Sequence, residues 1–195
     1  MSLVTGVARH AIADRGNDLY QTPPEAVRAL LKHECVPNRV WEPACGPGSI
    51  VRVLRGAGHD VLATDLVDYD SPDQDEFGVD FLIPGIAEAY NDLGRAIVTN
   101  PPFKNAHEFV GRALYFSPYV AMLLRLAFLE SEKRRSILDN GLLSRVLVFR
   151  NRLPMMHREG WTGPRASSAT AFAWFIWDRS HRGPTELHRI SWEAA

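Results

Sequence analysis

The sequence predicts an α/β fold, a mostly parallel sheet with helices on both faces. Two observations carry this. Short apolar runs of strand character alternate with segments of helical apolar spacing. Gly and Pro punctuate most of the joints between them, as at Pro37, Gly46-Pro47-Gly48 and Gly56-Ala57-Gly58. Strand–helix alternation of this kind yields parallel strands buried on both faces. Ligands in such folds bind beyond the strands' carboxyl ends, near the point where strand order reverses.

Thr22-Pro23-Pro24-Glu25 opens the first helix, with Thr22 as its cap, Pro23 at the first helical position and Glu25 completing a capping box. Val27, Leu30 and Leu31 continue it at helical spacing, and Pro37-Asn38 ends it. Residues 39–41 start a strand. Gly46-Pro47-Gly48 then turns the chain into a second helix carrying Ile50, Val51, Val53 and Leu54. Residues 60–65 alternate around Val61, Leu62 and Ala63 and read as the next strand. An acidic loop covers 68–76. A short strand is expected within 77–83, a helix over 84–93 and a strand over 95–99. Residues 106–116 are helical, with Phe109, Val110, Ala113 and Leu114 on one face. Residues 119–126 read as a central strand, 129–138 as a helix, and 145–149 and 171–177 as two further strands. Trp174, Phe175 and Trp177 are expected to fill the core. Between those last strands, residues 151–168 show no periodicity and carry Arg152, Arg158 and Arg165.

A chain of 195 residues fits one domain (1–195) with a sizeable core. No apolar run reaches the ~18 residues that a membrane helix needs. The N-terminus has no apolar stretch of the kind a secretory signal carries, so a cytoplasmic protein is expected, with residues 1–17 a flexible segment. Cys35 and Cys45 are too few for a disulfide framework, and their surroundings suggest no metal site. The net charge of −1 hides an asymmetry. Residues 1–98 hold 8 basic against 15 acidic residues, and residues 99–195 hold 14 against 8. A cofactor half followed by a polyanion-facing half is compatible with that split, as are ordinary solvated faces.

Asn100-Pro101-Pro102-Phe103 follows the apolar run Ala96-Ile97-Val98-Thr99. Each proline fixes φ and removes a backbone donor. The Asn100 side chain and the Pro101 carbonyl are then left as acceptors beside an aromatic plate. That ledge suits a planar ring bearing an amino group, although Asn-Pro and Pro-Pro are also ordinary turn dipeptides.

Glu42-Pro43-Ala44-Cys45-Gly46-Pro47-Gly48 joins the first strand to its helix, and its glycines allow close backbone approach to a ligand. A dinucleotide fingerprint would place a third glycine where Val51 stands, which disfavours a bound pyrophosphate. Asp65 ends the second strand, where it can accept two ribose hydroxyls or merely cap a turn. Asp80 can receive an adenine amino group, and Glu42 an ammonium. Together these acids suit a nucleoside without phosphate whose other end is an amino acid, and S-adenosyl-L-methionine fits that description.

With these motifs the chain resembles the class I S-adenosylmethionine-dependent methyltransferases, specifically the amino-directed DNA adenine methyltransferases, in a compact form similar to those of phages and prophages. The resemblance spans residues 18–177. It implies a Rossmann-like, mostly parallel seven-stranded sheet with an antiparallel C-terminal strand. Asp18-Leu19-Tyr20-Gln21-Thr22-Pro23 resembles the segment that touches the cofactor's methionine carboxylate, with Tyr20 and Thr22 in the site. By the same resemblance Glu42, Pro43, Ala44, Gly46 and Gly48 flank the methionine part. Asp65 with Leu66 holds the ribose, and Asp80 with Phe81 the adenine.

The implied activity is methylation of the adenine exocyclic amino group in DNA. The base is flipped onto the ledge, with Asn100, Pro101, Pro102 and Phe103 at the chemistry. Other planar amino or amide groups, such as a protein glutamine or a base in RNA, suit the same ledge, and so does a non-catalytic cofactor-binding protein. Lys104, Arg150, Arg152, Arg158 and Arg165 are expected at phosphates, with residues 151–168 as a DNA-facing loop. Many such enzymes carry a separate target-recognition region; here residues 151–168 and the stretch near Glu132-Lys133-Arg134-Arg135 are what is available for that role. A homodimer or a separate specificity partner is therefore compatible with the sequence.

Overall fold

A computed structural model of the chain describes residues 20–90, 94–155 and 170–193. The expected segment 1–17, with Asp18, Leu19 and residues 156–168 of the expected DNA-facing loop (Arg158 and Arg165 among them), lies outside the described residues. Helices α1 (Pro24–His33), α2 (Ser49–Gly56), α3 (Ile86–Tyr90), α4 (Ala106–Phe116) and α5 (Arg135–Leu138) alternate with eight strands. The strands are β1 (Arg39–Glu42), β2 (Asp60–Asp65), β3 (Glu76–Phe77), β4 (Ala96–Thr99), β5 (Tyr119–Arg125), β6 (Leu143–Phe149), β7 (Phe172–Asp178) and β8 (Glu186–Ile190).

They form one sheet in the order β3-β2-β1-β4-β5-β7-β6-β8. Only β7 runs antiparallel to its neighbours. The carboxyl ends of the other strands and the start of β7 therefore share one edge. The sheet has eight strands where the resemblance implied seven, and the antiparallel strand is not the last one. The added strand is β8, which pairs parallel to β6 from Arg145↔Glu186 to Phe149↔Ile190. Its first four residues are exposed and only Ile190 is buried, so no apolar run announces it. Backbone pairing to the β6 edge is what orders it.

Successive strand residues point to opposite faces, and the core divides accordingly. Val40, Ala63, Val98, Ala121, Leu123, Trp174 and Ile176 pack with α1 and α2. Trp41, Ile97, Val120, Met122, Phe175 and Trp177 pack with α4 and Ile137 of α5. The two β7 tryptophans hold opposite layers, as expected of core residues. Trp174 Nε1 donates to Ala26 O of α1 at 2.8 Å, and Trp177 Nε1 to Ile137 O at 2.8 Å.

Three local expectations are corrected. The first helix begins at Pro24, with Pro23 as its extended cap and no side-chain capping bond. A residue before proline is pushed out of the helical region, so Pro24 keeps Pro23 out of the helix. Thr22 is buried instead of capping. The strand expected within 77–83 is limited to Glu76–Phe77, because Gly78 turns the chain at φ 74°. The helix expected over 129–138 is two short 3-10 turns followed by α5, and Ser131 at φ 93° interrupts it.

The acidic loop is also less free than its composition suggests. Asp73 pairs with Arg52 at 2.6 Å and Asp75 with Arg55 at 2.7 Å, both arginines lying on α2. Asp60 receives Arg39 at 3.5 Å and Arg95 at 3.1 Å. Four arginines of the chain's first half are thus ion-paired to three acids of that same half.

Candidate functional site

Strand order reverses between β1 and β4, which pair directly through Val40↔Ala96 and Trp41↔Ile97. The loops that follow these strands therefore lie side by side. They frame a cleft of about 240 Å³ at the carboxyl edge of the sheet. Its walls include Tyr20, Thr22, Pro43, Ala44, Gly46, Asp65, Leu66, Asp80 and Phe81, together with Asn100, Pro101, Pro102 and Phe103. The sequence motifs, scattered over more than eighty positions, thus meet in one place.

The glycine turn is fixed from several sides. Gly46 and Gly48 both adopt positive φ, 52° and 86°. A Cβ on Gly48 would lie 2.3 Å from Asp73 Cβ, so this glycine is required for space as well as conformation. The Arg52 guanidinium donates to Pro47 O at 2.9 Å, and Ser71 Oγ donates to the same carbonyl at 3.0 Å. Asp65 takes the Gly46 N–H on one oxygen at 2.8 Å and the Val67 N–H on the other at 2.9 Å. Its carboxylate therefore braces the turn, and each oxygen keeps a further lone pair for a ligand. Burial raises the Asp65 carboxyl above its ordinary range, against the backbone N–H groups that lower it. Burial, with Asp65 beside it, pushes the Tyr69 phenol up to about 12.

Glu42 differs from its expected place. It is 1% exposed and does not form the cleft wall. Burial, reinforced by the Asp65 charge, pushes its carboxyl well above the usual carboxylate range, while the Val51 N–H pulls it down. The neutral form is favoured, so Glu42 is a poor counter-ion for an ammonium. Gly48 likewise lies behind the wall, in contact with Asp73. Cys45 lines the cleft, but burial and then the neighbouring Glu42 push its thiol far up, which removes it as a nucleophile. Asp80 Oδ1 accepts from Leu82 N–H at 2.9 Å and shapes its own turn. Phe81 is buried against Trp41, at 5.2 Å between ring centroids, and Phe109, at 5.0 Å. Leu66 is 60% exposed at the rim and offers an apolar face.

At the ledge, Asn100 Nδ2 donates to Tyr20 O at 2.8 Å. The same amide's Oδ1 is buried and has no hydrogen-bond partner among the described residues. Gln21 Nε2, also on a wall residue, is buried without a partner among the described residues. Buried polar atoms left unpaired are costly, about 1–3 kcal/mol each, and are met by a water or by a bound molecule.

Phe103 is not a bare plate. Tyr20 lies 4.7 Å and Phe172 5.7 Å from it between centroids, and the Arg125 guanidinium lies over its ring at 4.3 Å. Arg125 was not among the residues singled out from sequence. It ends β5, and only the pairing of β4 with β5 brings it to the ledge. Such a contact at an exposed position is worth about 0.5–1 kcal/mol. Lys104, Arg150 and Arg152 are exposed and lie outside the cleft wall, on the same edge of the sheet. No described helix is long and apolar enough to cross a membrane.

No family model and no curated protein matches this chain. Solved structures do. The modification subunit of a candidate type I restriction enzyme from Vibrio vulnificus YJ016 is 17% identical with a TM-score of 0.56, over 88% of this chain and 47% of that one. The chain thus spans about half the length of that subunit. A candidate RNA methyltransferase from Pyrococcus horikoshii is 13% identical with a TM-score of 0.56, over 87% of this chain and 91% of that one. DrdV, solved in complex with DNA, is 12% identical with a TM-score of 0.52, over 91% of this chain and 28% of that one. At these identities the likeness is one of fold: the chain has a Rossmann-like α/β fold of the kind found in methyltransferases.

Proposed function

We propose that this chain transfers a methyl group from S-adenosyl-L-methionine to the exocyclic amino group of adenine in DNA, with the target base flipped out onto the Asn100-Pro101-Pro102-Phe103 ledge. The observation that carries the reading is the buried Oδ1 of Asn100, without a hydrogen-bond partner among the described residues, on the wall of the cleft that Gly46 and Asp65 also line.

The cleft suits the cofactor. Its wall combines a tightly braced glycine turn, the Asp65 carboxylate and the exposed apolar Leu66. Val51 of α2 stands where a pyrophosphate-binding turn would have glycine. Tyr20, Thr22, Pro43, Ala44, Gly46, Asp65, Leu66 and Asp80 would hold the molecule, while Phe81 backs the wall and buried Glu42 lies behind it. When bound, S-adenosyl-L-methionine supplies an electrophilic methyl group.

The chain's own residues then address the nucleophile. An adenine amino nitrogen is weak because its lone pair is delocalised into the ring. Asn100 Oδ1 and the Pro101 carbonyl each accept one of its two N–H groups. Both bonds strengthen as the N–CH3 bond forms at the expense of the S–CH3 bond and the nitrogen becomes tetrahedral and positive, so they favour the transition state over the ground state, and the surplus N–H proton then passes to solvent. The prolines keep the two acceptors in fixed relation. Lys104, Arg150 and Arg152 contact phosphates, and an extruded base is required because a stacked one cannot reach the ledge.

The test is incubation of the protein with methyl-labelled cofactor and separate DNA, RNA and protein pools, followed by digestion to nucleosides and amino acids. The expected label is on the adenine amino group of DNA. Label confined to RNA or to a protein glutamine, or none at all, would replace this reading with the corresponding alternative.

A further inference from the structure

We propose that Arg125 occupies the place of the flipped base on Phe103 until nucleic acid arrives, and then grips a phosphate flanking the target nucleotide. This rests on the nucleic-acid reading given under Proposed function. Three observations support it. First, the guanidinium lies over the Phe103 ring at 4.3 Å, so it covers aromatic surface that a stacking base would use. Second, Arg125 is exposed and forms no ion pair or hydrogen bond with any described residue, although most arginines nearby in the sequence are engaged. An arginine whose partner is only a ring keeps all five of its N–H donors available. Third, its position is set by the sheet. β4 and β5 run parallel with Thr99 opposite Met122, so Arg125 projects beyond the end of β4 at the level of the ledge. On its other side Arg125 pairs with Phe172, whose ring is 5.7 Å from Phe103.

The exchange is favourable on chemical grounds. An exposed cation–ring contact is weak, and a planar base stacks on an aromatic ring at least as well. The displaced guanidinium meets phosphate oxygens in the forked geometry that it suits, so the charge is not stranded. Arg150 follows β6, two strands further along the same edge, roughly 10 Å away at ~4.8 Å per strand. Arg125 thus stands nearer the ledge than Arg150 does.

The full chain as wild type, Arg125→Ala, Arg125→Gln and Arg125→Lys would be compared for kcat, for KM toward a DNA substrate across a salt series, and for cofactor affinity by calorimetry. A thermal midpoint within a few degrees of wild type certifies each variant as folded, and Arg125→Gln stands in if Arg125→Ala fails this. The expected result is a KM for DNA raised about 10-fold in Arg125→Ala and Arg125→Gln, with cofactor affinity unchanged. The dependence of log KM on log salt should fall by about 0.7–0.9, as for one lost phosphate contact. Arg125→Lys should restore most of that salt dependence. An unchanged KM and salt dependence in a folded, DNA-active Arg125→Ala variant would overturn the role of Arg125 alone. A wild-type protein that puts no label on DNA would overturn the function proposed above, and Arg125's role with it.

Discussion

Asn100 Nδ2 donates to the carbonyl of Tyr20 at 2.8 Å, tying the ledge to a strand of chain 80 residues earlier. A carbonyl can only accept, so this bond fixes which end of the amide faces Tyr20. The oxygen is turned the other way, buried and without a protein partner among the described residues. Asn100→Ala should therefore lower kcat by at least ~100-fold, the scale of losing one preorganised transition-state bond. Cofactor affinity measured by calorimetry should change little. Methyl transfer at the wild-type rate in this variant would remove Asn100 from the chemistry.

Asp65 holds the glycine turn through Gly46 and Val67. Asp65→Ala releases both N–H groups, and bonds to a charged acceptor are worth ~1.5–3 kcal/mol each. A loss of cofactor affinity of roughly 10- to 100-fold and a lower thermal midpoint are expected together. Unchanged calorimetric binding would show that Asp65 serves the turn alone.

Gly48→Ala should destabilise by at least ~1–2 kcal/mol from its left-handed φ of 86°, before the contact with Asp73 is counted. Because that contact is with Asp73 Cβ, Asp73→Ala leaves it in place and only Asp73→Gly removes it. Urea denaturation of the two double variants should show better recovery with glycine at 73.

Glu42 gives a pH prediction. Its folded carboxyl titrates above its unfolded value, so between the two the folded state binds more protons. Its contribution to stability is complete below about pH 4.5 and is lost as pH rises through the folded value. Glu42→Gln should flatten the fall in urea-derived stability above that point. A parallel pH profile in the variant would count against a neutral Glu42.

Glu34 and Arg145 form a partly buried pair, with Arg145 Nη2 to Glu34 Oε2 at 2.8 Å and Tyr119 OH on the same oxygen at 3.2 Å. Arg145→Met should cost about 3–5 kcal/mol by stranding the Glu34 carboxylate, and adding Glu34→Leu should recover much of that. Equal midpoints for the single and double variants in denaturant would contradict this.

The sequence was most legible where a structural feature depends on neighbours along the chain. The apolar runs of β1, β4, β5 and β7 are buried nearly throughout and that of β2 in part, and their alternation with helices is real. The two loops that carry the glycine turn and the ledge meet because their strands are neighbours, as a doubly wound sheet requires. What local reading missed depends on contacts distant in sequence. Strand β8 has a polar sequence and takes its order from β6. The acidic loop over 68–76 carried no local sign that α2 supplies Arg52 to Asp73 and Arg55 to Asp75. Glu42 was read as a charge facing a ligand, whereas packing around β1 buries it. Arg125 had no motif to mark it, and its meaning lies in the ring one strand away.

The internal ion pairing of Arg39, Arg52, Arg55 and Arg95 has a consequence for how the molecule would meet a polyanion. Beside β2 and β3 these arginines are held in ion pairs with Asp60, Asp73 and Asp75, while Arg150 and Arg152 stay exposed past β6, toward the opposite edge of the sheet. The chain as a whole is nearly neutral but electrically lopsided. In the field of a nucleic acid it feels a torque more than a pull, so it should swing its β6 flank forward before any contact forms. That alignment acts only within a Debye length, ~8 Å at physiological salt, which makes the encounter rate more salt-sensitive than a net charge of −1 alone implies.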